Sequence, residues 1–544
     1  MTRATAGSLA RAPGLAALLV SACFSPEQTA ELAGTTSLAS GGVDSTGGDS
    51  ADSDGGVPAL AVTPIRGVDL LFVVDSSGSM ARAQGLLALA GPQLLAALDG
   101  VDLRIAFTTT DVGNPRCQDT TPEDGAFAVV SCLDHAERFE FDGEDHWAAA
   151  CLACSHSDAE LARVPTPTAL EPTPAPRAWL ERAADGTANV SVELGAAFAC
   201  AAPPGIDGCG YESPLAAVRR ALERAATPGD GNHGFVRDDA VLAIVIVSDE
   251  TDCSAQDPTI FTTNKTFWPD DVHPTSAACW YAGVACTGDP PTFTDCAPVD
   301  RDAAGASGVD ADAAVLVPAT AYVDELRALA DARAASNPAQ RLVMHLVSGV
   351  PPGYAEYLAE LDYVAAPADA VSNFGIGPGC THPDGRAGVP PVRERVVAEA
   401  FAPDGARNVD SICADDFAPG LVALAEELRD MSGRACLPGC VADRDPSTPE
   451  REPDCVFTRA DLPPTDVEAL IPACVGDEFG GYTAPLGYAV CHRVHPAPST
   501  GCAARGHNAE ISLVSAAPGE PLPDVRVTCA ESEAPQLDCP GLAP

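Results

Sequence analysis

From about residue 66 the chain alternates between two rhythms of apolar and polar positions. Short β-rich apolar runs occupy 69–74, 101–109, 240–248 and 342–348. The last two are nearly continuous in hydrophobic residues, the pattern of central parallel strands covered on both faces. Stretches with helical periodicity lie at 81–98, 213–226, 318–335, 391–401 and 416–431, the first interrupted at Gly91-Pro92. Strands alternating with helices predict an α/β fold with a doubly wound, mostly parallel sheet over residues 66–435.

That span exceeds what the sheet and its helices need. Two loop-rich, cysteine-bearing insertions, 112–205 and 253–312, account for the excess, and both leave the sheet near the ends of strands. After residue 435 the character changes. Residues 436–544 hold eight cysteines, many prolines and short β-like pieces such as Glu510–Val514 and Val525–Cys529. They predict a small β-rich module in which disulfides supplement a thin core. Residues 23–65 read as a tether, because the Gly/Ser/Asp-rich stretch 41–56 has almost nothing apolar to bury.

The first 22 residues read as an export signal. Arg3 and Arg11 precede the apolar segment 14–20, which is too short for a permanent membrane helix. Val20-Ser21-Ala22-Cys23 resembles the bacterial lipobox, which implies a mature chain lipidated on Cys23; a plain cleavable signal is the alternative. No later segment is apolar over a membrane's width, so the resemblance implies attachment by lipid alone. Phe24, rather than aspartate, follows that cysteine, which by the enteric sorting rule implies the outer membrane.

Charge and cysteine usage narrow the class. The formal net charge is −46, which disfavours a nucleic-acid partner, since a phosphate backbone demands a basic footprint. Of 21 cysteines, setting Cys23 aside leaves 20. They fall in even groups: six from Cys117 to Cys209, four from Cys253 to Cys296, the pair Cys380 and Cys413, and eight from Cys436 to Cys539. In an exported chain that grouping predicts local disulfides of open connectivity. Cys151 and Cys154, with His135, His146 and His156 nearby, have zinc-ligand spacing, but the oxidising compartment favours disulfides over thiolate ligation.

The candidate chemistry sits where the first apolar run ends. In Asp75-Ser76-Ser77-Gly78-Ser79, one carboxylate and two hydroxyls at alternate positions follow a strand and precede a helix. Mg²⁺ takes oxygen ligands of this kind in octahedral geometry while retaining water, and open α/β sheets bind ligands at the carboxyl ends of their strands. Ser and Asp are also ordinary helix caps, the alternative reading of the turn. The motif Asp-x-Ser-x-Ser resembles the first loop of the metal-ion-dependent adhesion site of von Willebrand factor type A domains.

The resemblance implies two further loops. For the third, Asp249 ends the strand 240–248; a turn or helix cap is its alternative role. The second loop normally offers a threonine before a helix, and this chain has Gly208-Cys209-Gly210-Tyr211-Glu212-Ser213-Pro214 instead. Glu212 stands nearest the missing threonine. It is either a ligand, filling the position an incoming carboxylate would take, or an acidic residue in the first turn of a helix, favoured by the macrodipole. Thr108-Thr109-Thr110-Asp111 ends the second strand at the same edge and reads chiefly as a polar exit from the sheet; its alternative role is to support the ligands from behind, with Asp111 a possible outer ligand.

Together these residues imply a metal site of Asp75, Ser77, Ser79, Asp249 and Glu212, holding Mg²⁺ (or Ca²⁺ or Mn²⁺). The resemblance implies cation-dependent binding of a protein or glycan partner at a cell surface. The alternatives are a structural envelope protein with a fold-stabilising metal and, less favoured, a secreted hydrolase acting through its insertions. No catalytic activity is expected: Ser77 lacks the Gly-x-Ser-x-Gly setting of a nucleophile elbow, and no Gly-rich phosphate loop is present.

Overall fold

The long apolar runs pair with one another. In the computed structural model, residues 60–539 are described apart from 366–371, 403–405, 438, 446–451, 477–481, 496, 500–501, 504–505 and 518–521. The expected export signal, Cys23 and the tether up to residue 59 lie outside the described residues. Six strands build the main sheet: β1 (Gly67–Val74), β2 (Asp102–Thr109), β3 (Leu180–Arg182), β4 (Ala240–Val247), β5 (Leu342–Ser348) and β6 (Val409–Ser411). Their spatial order is β6-β5-β4-β1-β2-β3. Every neighbouring pair is parallel except the edge pair β2–β3, which is antiparallel.

Helices α1 (Ala81–Ala97), α2 (Leu194–Ala201), α3 (Pro214–Ala226), α4 (Ala319–Ser336), α5 (Val392–Glu399) and α6 (Ala418–Met431) cover the sheet. Because side chains of a strand alternate between faces, β1 divides its apolar residues between two cores. Leu70, Phe72 and Val74 join Leu87 and Leu94 of α1, Phe198 of α2 and Leu421 of α6. Leu71 and Val73 join Leu215 and Val218 of α3, Tyr322 and Leu326 of α4 and Val397 of α5. The result is a mixed α/β fold whose sheet is buried on both sides, as the continuous apolar runs of β4 and β5 require.

Four expectations change. The helix 81–98 is not broken at Gly91-Pro92: α1 runs through Pro92, and the Phe198 ring of α2 packs where a side chain on Gly91 would stand. The insertion 112–205 is not all loop, because β3 and α2 within it complete the sheet edge and one helical layer. The strand β6 carries Asp410 and Ser411, so its sequence does not announce a strand; it is recruited by pairing with β5. Residues 60–62, expected in the tether, form a strand that pairs with Val525–Val527 at the far end of the chain. No three-residue run can reveal that partner in advance.

With the strand at Leu60–Val62, the C-terminal strands β7 (Arg434–Cys436), β8 (Cys455–Arg459), β9 (Val490–Val494), β10 (Glu510–Ser515) and β11 (Val525–Cys529) form two three-stranded antiparallel sheets. The ten disulfides fall wholly inside the four predicted groups. The first is paired Cys117–Cys209, Cys132–Cys151 and Cys154–Cys200. The second and third are paired Cys253–Cys279, Cys286–Cys296 and Cys380–Cys413. Cys436–Cys502, Cys440–Cys539, Cys455–Cys529 and Cys474–Cys491 staple the last. The sulfurs of Cys132, Cys151 and Cys154 do come within 4.8 Å of one another, but all three are spent in disulfides, which disposes of the zinc reading.

Candidate metal centre

Register brings the candidate residues to one edge. Val74 of β1 pairs with Thr109 of β2 and with Val247 of β4, so the next residues, Asp75, Thr110 and Ser248, leave three adjacent strands at the same level. Backbone bonds lock them together: Asp75 N–H donates to Val247 C=O (2.9 Å), Thr110 N–H to Val74 C=O (3.2 Å) and Ser213 N–H to Thr110 C=O (3.1 Å). Gln84 of α1 donates from Nε2 to the carbonyls of Asp75 (2.8 Å) and Gly205 (2.6 Å), tying the first loop to the segment that leads into the second.

Asp75 is fully buried. Its Oδ1 accepts from Ser77 N–H (2.8 Å) and its Oδ2 from the Ser248 hydroxyl (2.6 Å). Ser77 and Ser79 hydroxyls stand 3.1 Å apart, and the exposed Ser79 donates to Asp249 Oδ1 at 3.1 Å. Asp75, Ser77, Ser79 and Asp249 are therefore joined by consecutive hydrogen bonds, through the Ser77 backbone N–H and then the two serine hydroxyls. Direct ligation would rest on Asp75 and the two serine hydroxyls. Among the described residues no three carboxylates here close to 4.8 Å of one another.

Glu212 lies just before α3 and is fully buried. The Thr110 hydroxyl donates to its Oε2, while Oε1 is buried without a hydrogen-bond partner. Glu250, half-buried beside Asp249, also has an inaccessible and partnerless oxygen, Oε2. Among the described residues no arginine, lysine or histidine forms an ion pair with Asp75, Glu212, Asp249 or Glu250. Burial holds the Glu212 carboxyl well above its ordinary pKa, and the charge of Asp75 adds to the rise. Asp249 is raised by burial and then by Asp75, and Glu250 by burial, Asp249 and Asp75 in turn. Asp75 rises less, because the hydroxyls of Ser248 and Ser77 stabilise its anion. Four carboxyl groups that repel one another and lack a basic partner are expensive to bury as anions.

No protein-family model matches the chain, and no curated protein matches it. Among solved structures, the pilus adhesin SpaC from Lactobacillus rhamnosus GG aligns with 87% of this chain at 10% identity and a TM-score of 0.23. The alignment spans 43% of that adhesin's length. At so low a TM-score the likeness carries no weight for fold or function.

Ser248 and Glu250 complete the arrangement beyond the expected residues, and Thr110 takes the supporting place that was the alternative reading of its run. Thr110 is more than a polar exit, since it holds Glu212. Its role depends on a residue 102 positions away, which no local pattern reveals. Ser248 had a local signal, a hydroxyl directly after a buried strand and next to Asp249. Asp111 is committed elsewhere: its Oδ1 accepts from Gly113 N–H (2.8 Å), and its Oδ2 from the Thr120 hydroxyl (2.9 Å) and Cys209 N–H (3.2 Å). It shapes the loop that the Cys117–Cys209 disulfide closes and offers no free oxygen edge to a cation.

Proposed function

We propose that this chain is an exported, lipid-anchored envelope protein whose doubly wound domain, of von Willebrand factor type A character, binds a partner in a divalent-cation-dependent way. Asp75, Ser77 and Ser79 would hold Mg²⁺ (or Ca²⁺ or Mn²⁺) directly, Asp249 through water, and Glu212 from below. The protein acts by binding, without catalysis. The observation that carries the reading is Glu212: a fully buried carboxylate with a partnerless oxygen, facing Asp75 with no basic group to neutralise either. A hard cation supplies both the missing charge and the missing partner. The strand order, counted in chain sequence as 3-2-1-4-5-6, also favours a ligand site here. It reverses between the first and fourth strands, β1 and β4, whose ends carry Asp75 and Asp249. Ten disulfides support export, since such bonds persist in oxidising compartments. Among the described residues no helix is long and apolar enough to cross a membrane.

A structural metal is the second reading, favoured by the complete burial of Asp75 and Glu212. Titration calorimetry with Mg²⁺ tests the shared core of both, and Asp75→Ala is expected to abolish the binding heat. Capture of the partner in Mg²⁺ and in chelator then separates them. Capture that persists in chelator by a folded protein excludes cation-dependent adhesion and leaves the structural role.

A further inference from the structure

A cleft of about 600 Å³ opens over the candidate site, with Ser79, Asp249 and Glu250 on its floor. One wall comes from the first insertion. There, Glu140–Phe141 pairs with Glu144–Asp145 across a two-residue turn in which Asp142 and Gly143 both have positive φ. The hairpin is fixed at its base: Phe139 is fully buried, His146 N–H donates to Phe139 C=O (2.9 Å), and the Cys132–Cys151 disulfide spans it. Its aromatic residue, Phe141, covers Gly78 of the first loop so closely that a side chain on Gly78 would overlap the ring. Phe141 is nonetheless 50% exposed and lines the cleft. Phe374 lines the cleft as well.

The charges around this cleft are lopsided. The hairpin presents Glu140, Asp142, Glu144 and Asp145, all exposed, and among the described residues none of them pairs with a basic side chain. Asp249, Glu250 and Asp384 line the cleft, and Asp75 and Glu212 lie beneath it. Against these nine carboxyl groups stand Arg82, Arg386 and the His146 imidazole, and Asp384 is already bonded to Arg386 at 3.0 Å and to His382 at 2.6 Å. Acidic groups thus still outnumber basic ones when a divalent cation is bound.

Resting on the metal-site reading, we propose that the cleft receives a cationic side chain, an arginine or lysine of a basic segment of a protein partner. Its charged head would sit between the Phe141 ring and the acidic floor. Aromatic faces attract such cations, arginine most often. The field of the acidic hairpin would steer a basic segment in and turn an acidic one away.

The test uses the full chain in Mg²⁺ and two capped hexapeptides, one carrying two arginines and the other two glutamates. Fluorescence anisotropy should show the arginine peptide bound about ten-fold more tightly or better, with the preference shrinking as salt rises from about 50 to about 500 mM. Phe141→Ala should weaken the arginine peptide about three-fold, and Glu140→Gln/Glu144→Gln about as much. Tighter binding of the glutamate peptide overturns the proposal, and so does arginine-peptide binding that neither variant changes. Mg²⁺ calorimetry on the same samples keeps the two claims apart. Cation binding with a preference for the glutamate peptide sinks the basic partner alone, whereas arginine selectivity without cation binding sinks the metal site and supports the cleft assignment.

Discussion

Replacing Glu212 by glutamine removes one charge while keeping the shape and the hydrogen bond from Thr110, because a hydroxyl donates to an amide oxygen as it does to a carboxylate. The carboxyl's pKa in the folded protein lies well above its ordinary value, through burial and the charge of Asp75. A raised carboxyl pKa means that the folded state holds the proton more tightly than the unfolded one. The stability this provides is intact below about pH 4, near the unfolded value, and is lost as the pH climbs through the raised one. In EDTA the parent should therefore weaken as the pH rises above the ordinary carboxyl range, a loss that Glu212→Gln escapes. One like-charge contact is worth up to about 4 kcal/mol at 4 Å in an effective dielectric of about 20. Relaxation and protonation cut that to about 1–2 kcal/mol at high pH, or roughly 1–2 °C in melting temperature for a chain of this size. In Mg²⁺ the gap should close, since the parent gains a cation contact that glutamine supplies only weakly. A ten-fold loss of cation affinity lowers ligand stabilisation by about 1.4 kcal/mol at saturating metal. Circular-dichroism melts at pH 5 and 8, in EDTA and in Mg²⁺, measure all four states. The reasoning fails if the variant is less stable than the parent in EDTA at pH 8, or if Mg²⁺ stabilises both proteins equally.

Three further outcomes are expected. Glu394 is buried with both carboxylate oxygens unpartnered, and burial followed by the charge of Asp252 pushes its pKa up to about 8. Stability should thus decline as the pH rises through that value, and Glu394→Gln should flatten the decline in urea midpoints taken at about pH 6 and about pH 9. Asp69, fully buried, accepts from Arg237 Nε at 2.8 Å and from its backbone N–H at 2.7 Å. Asp69→Ala should cost about 2–3 kcal/mol by chemical denaturation, less than the ~3–5 of a wholly stranded charge, because Asp102 still pairs with Arg237. Opening the Cys117–Cys209 bridge with a double serine variant should cost about 2–4 kcal/mol and weaken Mg²⁺ binding several-fold by freeing the loop that leads to Glu212.

The parts of this fold legible in the sequence are those whose signal is local. The apolar runs of β1, β2, β4 and β5 and the helices between them have the right period and length, and their limits fall within a few residues of the observed ones. The even cysteine groups carried enough to confine every disulfide to its segment. Legibility ends where a residue's role depends on a distant one. Leu180–Arg182 and Val409–Ser411 are short, partly polar edge strands that owe their conformation to β2 and β5. The strand at Leu60–Val62 exists only because β11 pairs with it. At the candidate site Asp75, Ser77, Ser79 and Asp249 are reached from strand ends read together with the resemblance to type A domains. The coupling of Glu212 to Thr110 needs the fold, as does the Phe141 ring brought over Gly78 from 63 residues further along the chain.

The central claim is that a divalent cation binds among Asp75, Ser77 and Ser79. Crystals soaked in Mn²⁺ test it most directly, because manganese scatters anomalously and is hard enough to replace Mg²⁺ at oxygen ligands. The account predicts one strong anomalous peak at metal–oxygen bonding distance from Asp75 and the two serine hydroxyls, absent in Asp75→Ala crystals, with Glu212 Oε1 turned toward it. A clean map at those three side chains, or an equal peak in the variant, would contradict it.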